Sequence, residues 1–342
     1  MKQRILALLA CAALVAPLFA QGLTTPMATV RLTKTEIISE RQFRDDVAKV
    51  EKMRGRALSA EERKAFLDDI IDDLLFAQMC ERDGIRTTDA EVNAMIAQVR
   101  SQLGQNVTDA QFEQYLTSQG VALADYRTLI RKQILQQKWL QTAKANEIRA
   151  IPPVTPQEIL RNYELLKAQL VQPESARIAL VYYPFQADTQ AERDKGAQTI
   201  RAIQDRLANG ESFDSVRLKA ADLTYGASRD LLVPRTPEGI QIMGQFGIGR
   251  EQFDMIFALR DGTNTAPFQT QAGWFIARKF ETFPQKQLEL SDPIQPGKTL
   301  TVQAALAQEI ASQRQQEFIA KTFSELRDQL RKQAEVRITG RP

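Results

Sequence analysis

The chain has 342 residues, a formal net charge of +3 and no histidine. The absence of imidazole excludes a Ser-His-Asp triad, a Cys-His nucleophile and a zinc site with histidine ligands. Acidic and basic residues are interspersed, and no basic run with interleaved aromatic residues occurs, so nucleic-acid binding is not predicted.

The N-terminal segment has the pattern of a secretory signal peptide. Two cations precede an apolar run from Ile5 to Ala20, which is too short to span a bilayer comfortably. We therefore predict a signal peptide over residues 1–20. One alternative takes Leu8 to Cys11 as a lipobox, which would place a lipid on Cys11 and bring peripheral membrane association. Another takes the same run as an uncleaved membrane anchor.

Residues 27–171 are predicted to form a helical domain that opens with a short strand at Met27–Leu32. The strongest helix covers Ala60–Arg82, where apolar residues recur at three- and four-residue steps and Gly84 follows as the stop. Cys80 is the single cysteine after the signal segment, so no internal disulfide can form. Reciprocal capping pairs predict three helix starts, at Ser59 with Glu62, Thr88 with Glu91, and Thr108 with Gln111.

The pattern changes after the consecutive prolines Pro152–Pro153, which cannot continue a helix. Thr155-Pro156 begins another predicted helix, with a capping box and proline at its first position. From Ala176 to Tyr183 a β-branched and aromatic run predicts a strand. The order that follows is β-α-α-β-α-β-β with antiparallel closing strands. Residues 172–284 are therefore predicted to form an α+β domain.

The last part of the chain is predicted to return to the first domain. Residues 285–298 contain proline and glycine and are predicted to be a linker. Residues 299–338 are predicted to form a long amphipathic helix and a short strand, Ala334–Ile338, beside Met27–Leu32. The predicted fold is multidomain, α and α+β: a helical domain completed by the C-terminal helix, with the α+β domain inserted.

Five short patterns follow one another within residues 173–283. They are the opening strand Ala176–Val181, the turn Leu207–Phe213, the helix-to-turn segment Phe253–Gly262, the strand Thr265–Thr270 and the closing strand Gly273–Ala277. In this order they resemble the parvulin type of peptidyl-prolyl isomerase, or rotamase, domain. With the helical first domain and the returning helix, the chain resembles the exported SurA/PrsA group of folding factors, which have a helical chaperone module.

The chain departs from the parvulin pattern where that family has its two histidines. The matching positions hold Ile178 and Phe275, which supply neither donor nor acceptor. The family's acidic or cysteine centre would fall near Asp222, the candidate catalytic residue if any activity remains. The resemblance implies that Phe253, Phe257, Ile178 and Phe275 bind substrate. An apolar phenylalanine on such a helix is more often part of the plain core.

The resemblance implies an exported bacterial chaperone, in the periplasm or at the outer face of the cytoplasmic membrane. It would bind unfolded or nascent exported polypeptides, including outer-membrane proteins. Isomerase activity is expected to be absent or slight, because polar networks rarely survive loss of their members. The alternatives are an active peptidyl-prolyl isomerase and an adhesin on the same scaffold. No phosphate loop, dinucleotide fingerprint or Cys-x-x-Cys occurs, so no cofactor or metal is predicted.

Overall fold

The structure, a computed structural model, describes residues 25–104, 107–222 and 225–341. These residues form two compact units. The first contains the chain up to Pro152 together with the segment from Gln313 onward, and the second contains Pro153–Ser312. The predicted signal peptide over residues 1–20 and the predicted lipid site at Cys11 lie outside the described residues.

The elements of the first unit are mainly helices. They are β1 (Pro26–Arg31), β2 (Thr35–Ser39), α1 (Glu40–Arg54), α2 (Ala60–Arg82), α3 (Asp89–Leu103), α4 (Asp109–Ser118), α5 (Leu123–Ala143) and α6 (Ala145–Arg149). The second unit mixes helices and strands. Its elements are α7 (Pro156–Leu166), β3 (Val171–Gln172), β4 (Ser175–Pro184), α8 (Gln190–Ala208), α9 (Phe213–Leu218), β5 (Gly226–Ala227), β6 (Leu231–Pro234), α10 (Pro237–Gly244), α11 (Arg250–Phe257), β7 (Thr263–Asn264), β8 (Phe268–Gln269), β9 (Gly273–Phe283) and β10 (Lys286–Gln287). The long helix α12 (Val302–Gln333) begins in the second unit and ends in the first, where strand β11 (Glu335–Ile338) follows.

The helix starts follow the predicted caps. At Ser59, Thr88, Thr108 and Thr155 the side-chain oxygen accepts a hydrogen bond from the backbone N–H three residues later. The Glu or Gln at that later position in turn accepts from the backbone N–H of the cap residue. Two backbone donors that lack helical partners are thereby satisfied at each start, and the predicted capping boxes are confirmed.

A three-stranded antiparallel sheet in the order β11-β1-β2 brings the two ends of the described chain together. Ala28 lies opposite Ile338 and Val30 opposite Val336, so β11 occupies the position beside β1 that the sequence predicts. Ala28 and Val30 are buried in one core with Ile71 of α2. The small sheet therefore covers the apolar face of the strongest helix.

A buried glutamine fastens the β1–β2 turn to helix α2. The Oε1 of Gln78 accepts hydrogen bonds from the backbone N–H groups of Leu32 and Thr33 at 2.9 and 3.0 Å, and from that of Lys34 at 3.4 Å. Its Nε2 donates to Glu36 Oε1 at 3.2 Å. A buried polar side chain is stable when its hydrogen bonds are made, and here they hold the turn in place.

The second unit is built on the antiparallel pair β4 and β9. The sheet runs β5-β4-β9-β7, with β6 also paired to β4 and β8 also paired to β9. Side chains alternate along β4, so Ala179 and Val181 face α8 and α9, whereas Ile178 and Leu180 pack in a core with α10 and α11. The predicted combination of a helical domain, a parvulin-like α+β domain and a C-terminal helix is confirmed.

The segment predicted as a linker, residues 285–298, is packed within the second unit. Lys286–Gln287 pairs with Val171–Gln172, and the Tyr163 hydroxyl donates to the Leu288 carbonyl at 3.0 Å. The predicted domain boundary between residues 171 and 172 falls inside the second unit, which begins at Pro153. The reason is that helix α7 packs with Leu288 and the start of α12. The prediction of a linker from proline and glycine was wrong because turns inside a packed segment use the same residues as linkers.

The sequence-based prediction omitted β2, α1 and α10. Helix α1 buries Phe43, Val47 and Val50 at helical spacing, but charged residues surround them and weaken the pattern. Helix α10 begins at the Thr236 cap with Pro237 in its first position, a signal that was available. Short elements are held by tertiary packing more than by local propensity, and local patterns predict them poorly.

Candidate functional site

The two positions that match the family histidines lie in one buried core of the second unit. Ile178 is on β4 and Phe275 on β9, and both side chains belong to the cluster beneath α10 and α11. Ile178 is 0% exposed and Phe275 is 2% exposed. Their side chains have no polar atom, so neither can organise a hydrogen-bond network at this place.

The Phe275 ring is stacked between two other aromatic rings. Its centroid lies 5.6 Å from that of Tyr182 and 5.7 Å from that of Phe268, with interplanar angles of 24° and 19°. Phe246 meets Tyr182 edge-on at 6.0 Å. Aromatic pairs in such geometries contribute about 0.5–1.5 kcal/mol each beyond the area they bury. Apolar packing therefore fills the position where the family has an imidazole.

Phe253 and Phe257, the other two predicted substrate-binding residues, lie in the same core. They lie one helical turn apart on α11, and their ring centroids are 4.6 Å apart. Both are buried with Ile178 and Phe275. The structure thus brings all four predicted residues together but leaves none of them open to solvent. Their role in binding stays a prediction, and it requires this packing to open.

The candidate catalytic residue, Asp222, ends a turn of 3₁₀ helix at Lys219–Asp222. Its side chain lies outside the described part of the structure. The backbone places it between α9 and β5, in the segment that leads to the edge of the sheet. Its catalytic role stays a prediction.

A buried lysine fixes the helix-to-turn segment that the sequence singled out. Lys279 of β9 donates from Nζ to the Phe257 carbonyl at 2.8 Å, and the same Nζ lies 3.5 Å from Asp261 Oδ1. Asp261 also accepts from the backbone N–H and the hydroxyl of Thr282, at 2.9 and 2.6 Å. These hydrogen bonds lower the pKa of Asp261, Thr282 contributing most. The end of α11 is thereby tied to the central strand.

An open cleft of about 1190 Å³ lies in the second unit, at the edge of this core. Its walls come from the loop after β4, the start of α8, the start of α11 with the turn before it, and the turn between β8 and β9. The lining residues are Phe185, Gln186, Ala187, Asp188, Arg193, Gly247, Gly249, Gln252, Gln269, Thr270 and Gln271. Two of them adjoin residues of the aromatic core, since Gln252 precedes Phe253 and Gln269 follows Phe268.

The cleft offers neutral hydrogen-bonding groups. Its two charged residues, Asp188 and Arg193, form an ion pair with each other. The Trp274 indole donates to the Arg193 carbonyl at 3.1 Å and holds that residue against the sheet. Side-chain amides can both donate and accept, which suits the backbone of an extended polypeptide and needs no particular sequence.

This cleft was not predicted from the sequence. The available signal was the polar run Gln269-Thr270-Gln271 beside a predicted strand, together with the glycines at Gly247 and Gly249. Such residues are common in ordinary turns, so the pattern does not distinguish a cleft from a loop.

The described residues contain no group of three or more Cys, Asp or Glu side chains placed to hold a metal ion. Their helices include none that combines the length and apolar character needed to cross a membrane.

Comparison with known families decides what the two domains are. Residues 2–140 match the family of SurA-like N-terminal domains, and residues 154–292 match the family of PPIC-type PPIase domains. The chain therefore resembles SurA-like proteins in its first domain and PPIC-type PPIase domains in its second. This SurA-like chain keeps the rotamase-type fold in its second domain while carrying Ile178 and Phe275 at the histidine positions.

The related proteins are distant in sequence. "Chaperone SurA" of Saccharophagus degradans is 25% identical over 261 residues, which cover 73% of this chain and 55% of the relative. "Chaperone SurA" of Pseudomonas syringae pv. syringae is 26% identical over 265 residues, covering 74% and 58%. The chain thus spans about half the length of the curated relatives it matches.

The chain is also similar to a solved structure from Campylobacter jejuni. It comes from work on the virulence factor PEB4 and the periplasmic protein Cj1289, described as two structurally related SurA-like chaperones. The match has 12% identity and a TM-score of 0.36, and it covers 92% of this chain and 98% of the other.

Proposed function

We propose that this SurA-like protein is an extracytoplasmic bacterial chaperone that binds unfolded exported polypeptides, including outer-membrane proteins. We also propose that its parvulin-like domain binds without catalysing prolyl isomerisation. Support for chaperone activity comes from the match of residues 2–140 to SurA-like N-terminal domains and from relatives that carry the name chaperone. The signal-peptide pattern over residues 1–20 supports export.

The observation that carries the proposed loss of catalysis is the packing of Ile178 and Phe275. Rotation about a peptide bond has a barrier of about 18–20 kcal/mol, and a catalyst must bind the twisted imide better than the planar one. Parvulins are expected to do this through a polar network around their histidines. Here both positions are apolar and buried, and Phe275 is stacked between Tyr182 and Phe268.

The test of catalysis is NMR exchange between the cis and trans forms of short X-Pro peptides, with the whole protein added at substoichiometric amounts. An active parvulin in the same assay serves as the positive control. We expect exchange no faster than in the free peptide. Acceleration that is lost on substituting Asp222→Ala would contradict the proposal and establish the alternative, an active isomerase.

The test of chaperone activity is light scattering of an aggregating model protein, at ratios from substoichiometric to equimolar. Suppression is expected, because the cleft lined by Gln186, Gln252 and Gln269 can hold the backbone of extended segments. No suppression by the folded protein would overturn the chaperone proposal. It would favour the adhesin alternative on the same scaffold.

A further inference from the structure

A cleft in the first unit is lined by three arginines. It encloses about 530 Å³ between the first turns of α1, the start of α2 and the segment that follows β11. Its charged lining residues are Glu40, Arg44, Arg63 and Arg341. Three guanidiniums and one carboxylate leave an excess of positive charge among the lining residues. The cleft therefore attracts an anion.

Two of the three guanidiniums are open to a ligand. Arg44 and Arg341 are exposed, and neither side chain forms an ion pair or a hydrogen bond within the described ranges. Arg63 is positioned by a residue outside the cleft, because its Nη2 donates to Glu51 Oε1 at 3.0 Å. The Arg63 side chain is still 40% exposed. Glu51 offsets part of the Arg63 charge, and the excess in the cleft stays positive.

The segment after β11 is fixed against β1, and this brings Arg341 to the cleft. The backbone N–H groups of Thr339 and Gly340 both donate to the Met27 carbonyl, at 3.0 and 3.1 Å. A Cβ at Gly340 would overlap Met27 Sδ and would lie 3.2 Å from Met27 Cα, so glycine permits this close approach. Arg341 follows directly and lines the cleft together with the arginines of α1 and α2.

The surface that the cleft presents is mainly polar. Its apolar lining residues, Met27, Phe43 and Val47, are only 2%, 6% and 6% exposed. A ligand with a large apolar group would gain little from them, which argues against the carboxylate of an apolar residue. A phosphate monoester carries a charge of about −1.5 to −2 at pH 7 and three strong acceptor oxygens. Guanidinium groups pair bidentately with such oxygens, so both charge and donors fit phosphate.

We propose that this arginine cleft binds a phosphate monoester group. Arg44 and Arg341 pair with the phosphate oxygens, Arg63 supplies a third cation, and Glu40 opposes binding. A soluble phosphate ester and the headgroup of phosphatidic acid both present this chemistry. The inference goes beyond the proposed chaperone function and does not depend on it.

The first test is a titration of the whole protein with methyl phosphate, followed by broadening of its ³¹P NMR signal. Saturable binding is expected. Dimethyl phosphate, a diester with one charge, is expected to bind roughly tenfold more weakly, because hydrogen bonds between charged groups are lost. Equal affinity for the two esters would overturn the proposal of a monoester site.

A carboxylate competitor tests the alternative of a polypeptide ligand. N-acetylphenylalanine carries one carboxylate and an apolar side chain, and it is expected to displace methyl phosphate only at roughly tenfold higher concentration. Displacement at equal or lower concentration would overturn the proposal in favour of a site for a polypeptide carboxylate. These two measurements need no variant of the protein.

Matched arginine variants locate the site. Arg44→Gln and Arg341→Gln are each expected to weaken methyl phosphate binding by roughly tenfold. Arg41→Gln removes the same charge from α1 at a position outside the cleft, where the side chain is 85% exposed, and the affinity is expected to stay unchanged. Equal losses in all three variants would show a diffuse charge effect and would overturn the proposal. Thermal unfolding verifies that each variant is folded.

Glu40→Gln is expected to have the opposite effect. Removing the like charge from the cleft should tighten methyl phosphate binding severalfold, whereas a purely structural role of Glu40 would leave the affinity unchanged or lower it. Unchanged or weaker binding by the folded variant would contradict a phosphate beside Glu40 and would overturn the proposal.

Sedimentation with vesicles separates the two sources of the phosphate group. Phosphatidylcholine vesicles that contain phosphatidic acid present a monoester, and those that contain phosphatidylglycerol present a diester as the control. Binding of methyl phosphate without cosedimentation assigns a soluble ester. Cosedimentation with phosphatidic acid that Arg44→Gln abolishes assigns a lipid headgroup. Absence of both methyl phosphate binding and cosedimentation would overturn the proposal.

Discussion

Burial of single side chains determines which chemistry the second unit can offer. Ile178 and Phe275 are packed in one core, and Tyr182 and Phe268 stack on Phe275. An imidazole introduced at Phe275 would lose this stacking and would need a buried hydrogen-bond partner, because an unpaired buried polar group is costly. Restoring a histidine there is therefore not equivalent to restoring the family's site.

In the first unit, one carboxylate couples stability to pH. Burial raises the pKa of Asp73 to about 6, although Lys132 Nζ lies 2.6 Å from the carboxylate and opposes the shift. Because this pKa is higher in the folded state, the folded protein binds a proton more readily than the unfolded chain near pH 6. The contribution of Asp73 to the free energy of unfolding therefore rises as the pH falls from 7.5 to 5.5. It is lost as the pH rises through 6.

The variant Asp73→Asn isolates this contribution. Between pH 7.5 and 5.5 the wild type is expected to gain about 0.5–1 kcal/mol of stability relative to Asp73→Asn, as follows from linkage. Urea unfolding at several pH values measures the difference. Asp45→Asn, an exposed carboxylate change, is the control and should keep the wild-type pH profile. Parallel profiles for wild type and Asp73→Asn would contradict the raised pKa.

At the scale of elements, the last helix completes the first unit. Phe323 of α12 packs against Phe76 and Trp139, with ring centroids 5.9 and 5.3 Å apart. Arg331, two turns further on, forms an ion pair with Asp72. Its guanidinium also donates hydrogen bonds to the Asp68 carboxylate at 3.1 Å and to the Asp68 backbone carbonyl at 2.8 Å. One contact is apolar and the other ionic, so the helix is held to α2 at two separate places.

Arg331→Met is expected to destabilise the protein by about 2 kcal/mol, between the values typical of exposed and buried ion pairs. The reason is that Asp72 is half-buried, burial raises its pKa, and the remaining cation, Arg327, lies 3.8 Å away. Urea unfolding followed by circular dichroism measures the loss. Lys332→Met, at the exposed neighbouring position, is the matched control. A similar loss in both variants would contradict a specific role for the Arg331 pair.

At the scale of the whole molecule, the chain is organised as two units with separate cores. Ile71 is fully buried in the first unit and Ile256 is fully buried in the second. The chain enters and leaves the second unit once, and α12 is the element whose residues are divided between the units. Units with their own cores commonly unfold in separate cooperative steps.

Two core substitutions test this organisation by differential scanning calorimetry. Ile71→Ala and Ile256→Ala each remove buried methyl groups and are expected to cost about 2–5 kcal/mol. Each variant should lower one component of the unfolding endotherm by roughly 5–10 °C and leave the other in place. A single transition that both variants lower equally would contradict separate unfolding.

Local patterns predicted the features that depend on a few neighbouring residues. The helix starts at Ser59, Thr88, Thr108 and Thr155 were predictable because a cap and its partner lie within one turn of each other. The strand pattern from Ala176 to Tyr183 and the ordered parvulin landmarks predicted the α+β domain. The substitution of both histidine positions was likewise readable from the sequence alone.

The tertiary structure alone decided which side chains are accessible. The family resemblance implied that Phe253 and Phe257 bind substrate, and the structure shows that they are buried in one core, whereas the open cleft is lined by Gln252 and its polar neighbours. It also decided that Asp46 is buried at the side of a cleft, where its Oδ2 has no hydrogen-bond partner among the described residues. Burial depends on which elements pack together across long separations in the chain, and no local pattern contains that information.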